Sequence, residues 1–272
     1  MIKTAIGHDG LAGDFFRQAG GQNQRAVILL GGSEGGAAWS RVRTPVRLLV
    51  ERGFVVLSLA YFKAPGLPGT LQEIPLEYFK RASDWLLAQP GVEPGALAVI
   101  GASKGSEAAL LIASRDPRVR AVAAFSPSSV VWQGIPAQRF ALGRDVRSSW
   151  SEDGQGLPFL AYQGPFSKLD LLTLRLAGLH ERSLADAGAA AAAAIPVERI
   201  KGSVLLLSAR NDRLWPAVDM GEEIMRRLEA SDFPHPHKHV IFGGGHGTLV
   251  MNRDAWRAIF ASLEASLQPA GR

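Results

Sequence analysis

Apolar residues along this chain fall into short continuous runs that alternate with amphipathic stretches. A strand buried on both faces has an unbroken apolar run, whereas a surface helix repeats its apolar residues every three or four positions. Runs of the first kind cover residues 25–30, 53–61, 97–101, 119–127, 202–208 and 239–242. Stretches of the second kind cover about 45–52, 75–89, 107–113, 218–230 and 253–267. This alternation, preceded by a short strand at about 13–17, predicts an α/β protein with a doubly wound, mostly parallel sheet.

The alternation stops between about Gln133 and Arg199. This stretch is far longer than a crossover between two strands needs, and long insertions at the carboxyl edge of a sheet commonly cover a pocket. It contains apolar residues without strand periodicity and then an alanine run, namely Trp150, Phe159, Leu160, Tyr162, Phe166 and residues 189–194. We therefore expect a single domain over residues 1–272, with a cap inserted at about 133–199 between the strands near 119–127 and 202–208. The alanine run is interpreted as a plain helix packed against its neighbours.

One apolar run ends in Gly101-Ala102-Ser103-Lys104-Gly105 and continues as a helical pattern. In such a strand-to-helix turn the serine lies on strained backbone with its hydroxyl pushed out of the sheet, and the glycines leave room for close packing. Ser103 is therefore the candidate nucleophile, and the alternative is an ordinary turn without chemistry. The side chains of Lys104 and Glu107 are interpreted as structural, with Glu107 stabilising the first helical turn through the helix dipole.

Two more polar residues follow apolar runs, which places them at the same carboxyl edge of the predicted sheet. Asp212 comes after the run at 202–208, and His246 comes after the run at 239–242 with a glycine on either side. An activated serine needs a base to take its proton and an acid to orient that base, and the chain order Ser, Asp, His is that of α/β-hydrolases. We therefore predict that Ser103, Asp212 and His246 are catalytic.

The remaining histidines are weaker candidates for the base. His8 and His180 have no comparable context, and three others precede the last strand in what we interpret as a polar loop. These three are His235, His237 and His239, for which incidental metal binding is the alternative.

The first buried run ends in the glycine-rich segment 31–36. Its four glycines free the backbone amides to turn toward a ligand at the carboxyl edge of the sheet. We predict an oxyanion hole formed by the backbone N–H of Lys104 and that of Ser33 or Glu34. A phosphate-binding loop is the alternative, but the segment lacks the lysine of a Walker motif and the full Gly-x-Gly-x-x-Gly spacing.

The composition narrows the classes of partner. The chain has 47% apolar and 20% charged residues and a formal charge of +5, and so mild a surplus argues against nucleic-acid binding. No apolar run is long enough to span a membrane and the N-terminus does not resemble a secretory signal, so a cytoplasmic location is expected. Cysteine is absent, which excludes disulfides and thiol catalysis. We expect a small acyl ester or acyl-CoA as the partner, with no cofactor and no metal.

The densest group of basic residues follows the glycine-rich segment and consists of Arg41, Arg43, Arg47 and Arg52. The spacing favours a solvated helix face. A phosphate-binding role, such as contact with the phosphates of coenzyme A, is the alternative.

Several of these segments together resemble a known family. The glycine-rich segment, the Ser-Lys-Gly elbow, the run Asp212-Arg213-Leu214-Trp215-Pro216 and the pair Gly245-His246 are similar to the C-terminal hydrolase domain shared by acyl-CoA thioesterases and bile acid-CoA:amino acid N-acyltransferases. The resemblance covers about residues 10–266. It implies an α/β-hydrolase fold, a triad of Ser103, Asp212 and His246, and a thioester substrate. The immunoglobulin-like domain of the larger relatives has no counterpart in this sequence, and the cap differs, so the acyl group does not carry over.

The resemblance favours hydrolysis over acyl transfer. The family member that conjugates amino acids has cysteine where this chain has Ser103, and an acyl-serine ester is less prone to attack by amines than an acyl-cysteine thioester. We therefore expect a serine hydrolase that cleaves acyl-CoA thioesters through an acyl-serine intermediate. A carboxylesterase resembling dienelactone hydrolase is the main alternative, and an acyltransferase or a non-catalytic binding module are the others.

Overall fold

The computed structural model of the chain describes residues 1–7, 10–137, 143, 145–165, 167–173 and 175–267. Its strands are β1 (Ile2–Ile6), β2 (Ala12–Arg17), β3 (Gln24–Leu30), β4 (Phe54–Ala60), β5 (Ile74–Pro75), β6 (Val92–Ala102), β7 (Val119–Phe125), β8 (Trp150–Glu152), β9 (Gln155–Gly156), β10 (Ser203–Ala209) and β11 (His237–Phe242). Its α-helices are α1 (Arg43–Glu51), α2 (Leu76–Leu87), α3 (Lys104–Ala113), α4 (Lys168–Thr173), α5 (Ala177–Leu184), α6 (Ala187–Ala192), α7 (Ala217–Ala230) and α8 (Arg253–Ser266). His8 and Phe166 lie outside the described residues.

Eight strands form one sheet in the order β1-β2-β4-β3-β6-β7-β10-β11. The six strands from β4 to β11 in this order run parallel, and β2 joins them antiparallel through its pairing with β4. The predicted doubly wound sheet of an α/β-hydrolase fold is thus confirmed. Because the strands are parallel, the loops after β3, β6, β10 and β11 meet at one edge, which is where such sheets bind ligands.

Alternate residues of the central strands pack on opposite faces of the sheet. Ile28 and Leu30 of β3 contact the cluster that includes the apolar residues of α2, α3 and α7. Val27 and Leu29 contact the cluster formed with α1 and α8. Helices therefore cover both faces, which explains the unbroken apolar runs in the sequence. No helix in the described part of the chain combines the length and the apolar character that crossing a membrane requires.

The edge strand β1 has no counterpart among the predicted strands. It pairs antiparallel with β2 from Ile2 opposite Arg17 to Ile6 opposite Gly13. Four of its five residues are exposed and only Ile6 is buried. An edge strand with so little buried surface leaves no apolar run in the sequence, which is why the pattern did not indicate it.

The sequence pattern did not predict β8 and β9 in the cap region, nor the two-residue strand β5 that precedes α2. β5, β8 and β9 form a second, three-stranded sheet in which Ile74 pairs with Trp150. Trp150 is buried in the main core, with its ring 5.7 Å from that of Tyr61 and 5.9 Å from that of Phe79. Trp150 therefore belongs to a short strand and to the main core, although the sequence around it shows no strand periodicity. Each strand has only two or three residues, too few to show a period of two.

The alanine run at 189–194 is helical only in part. α6 covers Ala187–Ala192 and begins at Asp186, whose side chain accepts a hydrogen bond from the backbone N–H of Ala189. The helix has no buried residue, although Ala189 and Ala190 pack at the rim of a small cluster. Ala193 and Ile195, just after the helix, are buried. The predicted helix exists, but it is shorter and more exposed than the expected packed helix.

Candidate active site

Ser103 lies at the sharp turn between β6 and α3. Its backbone has φ of 56° and ψ of −123°, a region that non-glycine residues rarely occupy. A Cβ at Gly101 would overlap the carbonyl oxygen of Gly105, and a Cβ at Gly105 would overlap that of Gly31. Gly101 is therefore needed for the tight turn into α3, and Gly105 for the close approach of that turn to the end of β3, in line with the close packing predicted from the sequence.

His246 and Asp212 meet at the ends of β11 and β10. The Nδ1 atom of His246 is 2.6 Å from Oδ2 of Asp212. The other carboxylate oxygen accepts hydrogen bonds from the backbone N–H groups of Leu214 at 2.9 Å and Trp215 at 3.3 Å. The Asp212 side chain is 3% exposed and that of His246 is 19% exposed. The loop of Asp212 thus holds the carboxylate in place, and the carboxylate orients the imidazole of His246. The opposite edge of the imidazole faces solvent or a ligand.

Ser103 and His246 line one cavity of about 380 Å³ between the sheet edge and the cap. This volume lies within the usual range for small-molecule sites. The remainder of the lining is mostly apolar and comes from both sides of the cavity, with Phe125, Ile135, Tyr162, Leu176, Leu214, Trp215 and Val250 as its apolar and aromatic side chains. The structure therefore places Ser103 and His246 at one mostly apolar cavity, with Asp212 hydrogen-bonded to His246.

The glycine-rich segment also lines the cavity, through Gly32, Ser33 and Glu34. The Glu34 side chain folds back and accepts a hydrogen bond from the backbone N–H of Gly32 at 2.8 Å. Tyr61 donates from its buried hydroxyl to the carbonyl oxygen of Gly31 at 2.6 Å. Burial, followed by the charges of Glu34 and Glu107, raises the pKa of Tyr61 well above its usual value, so the hydroxyl remains a donor. These bonds fix the segment beside the elbow.

The amides predicted for the oxyanion hole are available for a ligand. Among the described residues, the backbone N–H groups of Lys104, Ser33 and Glu34 have no acceptor. Lys104 is the first residue of α3, where helix N–H groups point outward and the helix dipole favours negative charge. Unpaired N–H groups beside the cavity are compatible with an oxyanion hole at this position, which stays a prediction.

Lys104 and Glu107 form a buried ion pair behind the elbow, with Nζ 2.6 Å from Oε2. The other carboxylate oxygen of Glu107 accepts from the backbone N–H of Trp132 at 3.0 Å and from the indole of Trp150 at 2.7 Å. Burial raises the pKa of Glu107 and lowers that of Lys104, and the pairing opposes both shifts. Both side chains are buried and paired, which agrees with a structural role. Glu107 lies in the first turn of α3, as predicted, and it also connects the elbow helix to the cap region through Trp132 and Trp150.

His180 also lines the cavity, although nothing in its sequence context indicated a role for it. It lies on α5, and its Nδ1 atom is 2.8 Å from the carbonyl oxygen of Leu176. Its ring packs edge-on against Trp132, Tyr162 and Trp215. Burial lowers the pKa of His180 from 6.5 to about 4, so it is neutral at physiological pH, and the bond to Leu176 makes Nε2 the free acceptor. The apolar spacing of Leu176, Leu179 and His180 along one helix face was the signal that could have indicated it.

The other sequence candidates lie elsewhere. His239 contacts Ser208 through Nε2 at 2.7 Å, and His235 and His237 pack against Phe233. In the described part of the chain, no three side chains of the kinds that bind metals are grouped to do so. The four arginines of the first basic group are all exposed and none of them lines the cavity, in agreement with a solvated helix face.

Comparison with known proteins decides the family. The family described as "BAAT / Acyl-CoA thioester hydrolase C terminal" matches residues 74–249, which is more than half of the chain. The chain belongs to this family. The matched range extends from β5 through the elbow and the cap to His246, and it therefore includes all three residues gathered at the cavity.

Individual relatives in this family include thioesterases and acyltransferases. The chain is 28% identical over 189 residues to human "Acyl-coenzyme A thioesterase 2, mitochondrial", covering 67% of this chain and 35% of the relative. It is 37% identical over 224 residues to rat "Acyl-coenzyme A amino acid N-acyltransferase 2", covering 81% of this chain and 48% of the relative. The chain thus spans between about a third and a half of the length of these relatives.

Solved structures share the fold over nearly the whole chain. The α/β hydrolase GrgF from Penicillium sp. sh18 has a TM-score of 0.63 at 17% identity, covering 98% of both chains. An esterase of Pyrococcus furiosus has a TM-score of 0.63 at 16% identity, covering 98% of this chain and 90% of the esterase. At such low identity the likeness establishes the α/β-hydrolase fold alone.

Proposed function

We propose that this chain is a serine hydrolase that cleaves acyl-CoA thioesters through an acyl-serine intermediate. The observation that supports this most strongly is that Ser103, on its strained elbow, and His246, hydrogen-bonded to Asp212, line the same apolar cavity. The thioesterase relatives point to the thioester as the bond that is broken. The family's hydrolase chemistry and this geometry thus favour the same reaction.

The proposed reaction follows from the roles of these side chains. His246 takes the proton of the Ser103 hydroxyl, whose oxygen attacks the thioester carbonyl, while Asp212 stabilises the resulting imidazolium. The N–H groups of Lys104 and of Ser33 or Glu34 hold the oxyanion. Collapse of the tetrahedral intermediate expels the thiolate, which receives the proton from His246. Water, deprotonated by His246, then releases the acid and restores Ser103.

A fluorophosphonate probe and an acyl-CoA substrate test this proposal together. Wild-type protein is expected to be labelled at Ser103, and Ser103→Ala is expected to lose labelling and thioester hydrolysis while keeping its unfolding midpoint. Ser126→Ala is the matched control because Ser126 lines the same cavity and its hydroxyl has no hydrogen-bond partner among the described residues. Hydrolysis by Ser103→Ala at the wild-type rate would refute the assignment.

Acyl transfer to an amino acid is the second candidate, because the rat N-acyltransferase is 37% identical to this chain. Mass spectrometry of the products formed from an acyl-CoA in the presence of a free amino acid separates the two reactions. Free acid as the sole product supports hydrolysis. An N-acyl amino acid formed by wild type and absent with Ser103→Ala would instead favour transfer.

A further inference from the structure

A second, smaller cavity opens next to the active site. Its volume is about 350 Å³, and its lining consists of Arg175, Ala177, Gly178, Asp212 and Arg213. Leu176 and Leu214, the chain neighbours of the two arginines, line the active-site cavity instead. The segments 175–178 and 212–214 therefore form a partition with the apolar cavity on one side and this cavity, here called the arginine groove, on the other.

The two walls of the arginine groove are joined by main-chain contact. The backbone N–H of Ala177, the first residue of α5, donates to the carbonyl oxygen of Arg213 at 3.0 Å. One wall thus begins a cap helix, and the other is the loop that carries Asp212. This contact holds the main chain of the two walls together beside Asp212, so a ligand bound in the groove would be adjacent to a substrate in the active-site cavity.

The charges in the arginine groove are not neutralised by the protein. No described carboxylate forms an ion pair with Arg175 or Arg213, and both side chains are exposed. Of the acidic groups nearby, Asp212 is turned toward His246 and is almost completely buried. Asp170 is bound chiefly to Ser167, and the charge of Arg175 lowers its pKa only as a lesser cause. By contrast, Arg47 in the first basic group lies 3.6 Å from Glu51, and Lys104 in the active site is paired with Glu107.

We infer that the arginine groove binds the phosphate groups of the coenzyme A portion of the substrate. Guanidinium groups suit phosphate because their planar donors bind its oxygens in pairs. The positive end of α5 adds to the attraction. This inference rests on the proposed function for the substrate class, but it assigns the phosphate contact to Arg175 and Arg213, for which the sequence suggested no such role, and removes that role from Arg41, Arg43 and Arg47.

Kinetics with two matched thioesters test the inference. Octanoyl-CoA and the octanoyl thioester of N-acetylcysteamine share the acyl group and the scissile bond, and only the first carries phosphates. The double variant Arg175→Ala/Arg213→Ala is expected to raise KM for octanoyl-CoA about tenfold or more, because two charged hydrogen-bond donors are lost. Its KM for the neutral thioester should stay within about twofold of wild type. Added salt should reduce the difference between wild type and variant, since exposed charges are screened.

The control variant Arg41→Ala/Arg43→Ala loses the same charge from the first basic group. It should leave both KM values unchanged, which separates a specific contact from a general effect of net charge. Equal KM changes for both thioesters, or a rise for octanoyl-CoA in the control variant alone, would overturn the inference.

Direct binding separates failure of the groove from failure of the proposed function. Calorimetry with free coenzyme A on the Ser103→Ala background needs no turnover. If coenzyme A binds to the Ser103→Ala protein but not to the same protein with Arg175→Ala/Arg213→Ala added, while pantetheine binds equally to both, the groove is supported even if no thioester is hydrolysed. Coenzyme A binding that is equal with and without the two arginines, or no binding at all, would refute the groove, whatever the hydrolysis assay shows.

Discussion

The two walls of the active-site cavity are held in place by different forces. On the sheet side, Ser103 and Asp212 are positioned by main-chain geometry: the elbow by the contact between glycines and β3, and the carboxylate by the N–H groups of its own loop. On the cap side, His180 and Tyr162 are positioned by the packing of aromatic rings. Glu107 joins the two sides through its bonds to Lys104 and to the cap.

This difference implies that substitutions on the two walls affect different properties, the reaction rate on one side and the stability of the protein on the other. A change on the sheet side that preserves the backbone should stop the reaction without unfolding the protein. A change at Glu107 should destabilise the protein, because it removes one partner of a buried pair. A change on the cap side should alter stability in a pH-dependent way, because the buried group there is titratable.

The largest effect is expected on the sheet side, from Asp212→Asn. An asparagine keeps the size of the side chain but favours the wrong tautomer of His246, and kcat should fall about 10⁴-fold, as in triad enzymes generally. Steady-state kinetics with an acyl-CoA measure the loss, and the unfolding midpoint should change little. Asp219→Asn, an exposed aspartate in the first turn of α7, is the control and should keep full activity. A fall of less than tenfold for Asp212→Asn would mean that another group orients the base.

The next-largest effect is expected at the Lys104–Glu107 ion pair, which connects the two walls of the cavity. Glu107→Gln leaves Lys104 charged and buried without its partner, and the free energy of unfolding should fall by about 3–5 kcal/mol. Glu181→Gln, an exposed glutamate on α5, should change it by less than about 0.5 kcal/mol. Urea denaturation at neutral pH gives both values.

The double variant Lys104→Met/Glu107→Gln sharpens this prediction. It removes the stranded charge, so it should be more stable than Glu107→Gln alone, since buried ion pairs can be replaced by apolar groups at little cost. If the loss of unfolding free energy in the double variant instead equals the sum of the losses in the two single variants, the pair contributes no coupling energy. The two walls are then connected by the bonds of Glu107 to Trp132 and Trp150.

The smallest effect is expected on the cap side and appears only in acid. The pKa of His180 is about 4 in the folded protein and 6.5 in the unfolded chain, so the unfolded chain takes up a proton first as the pH falls. Stability that is fully present above pH 6.5 is lost as the pH falls toward 4, and it amounts to about 3 kcal/mol for this shift. His180→Phe keeps a ring in the aromatic cluster without the titration. Its stability should therefore fall by about 3 kcal/mol less than that of wild type between pH 7 and pH 4, measured by denaturation at each pH. If the stability of the two proteins changes equally with pH, burial does not lower the pKa of His180.

The elements that could be predicted from the sequence are those whose cause is local. The runs at 25–30 and 202–208 are strands buried on both faces, so their apolar character shows directly in the chain. The elbow requires a glycine two positions on either side of Ser103, and this spacing is a local pattern. The short edge strand β1 and the two- and three-residue strands of the cap bury too little, or extend over too few residues, to leave such a pattern.

The sequence by itself determined the sheet, the position of Ser103, and the expectation that Asp212 and His246 come to the same edge, because parallel strands bring the residues that follow them to one side. Only the tertiary structure decided which side chains face the cavity. The path of the cap places His180 at this cavity and Arg175 in the arginine groove, where Arg213 joins it from the loop after β10. That path depends on contacts such as Ala177 with Arg213 and Glu107 with Trp132. These contacts join residues 25 to 36 positions apart. No periodicity encodes them, since they follow from how the cap packs once the sheet has formed.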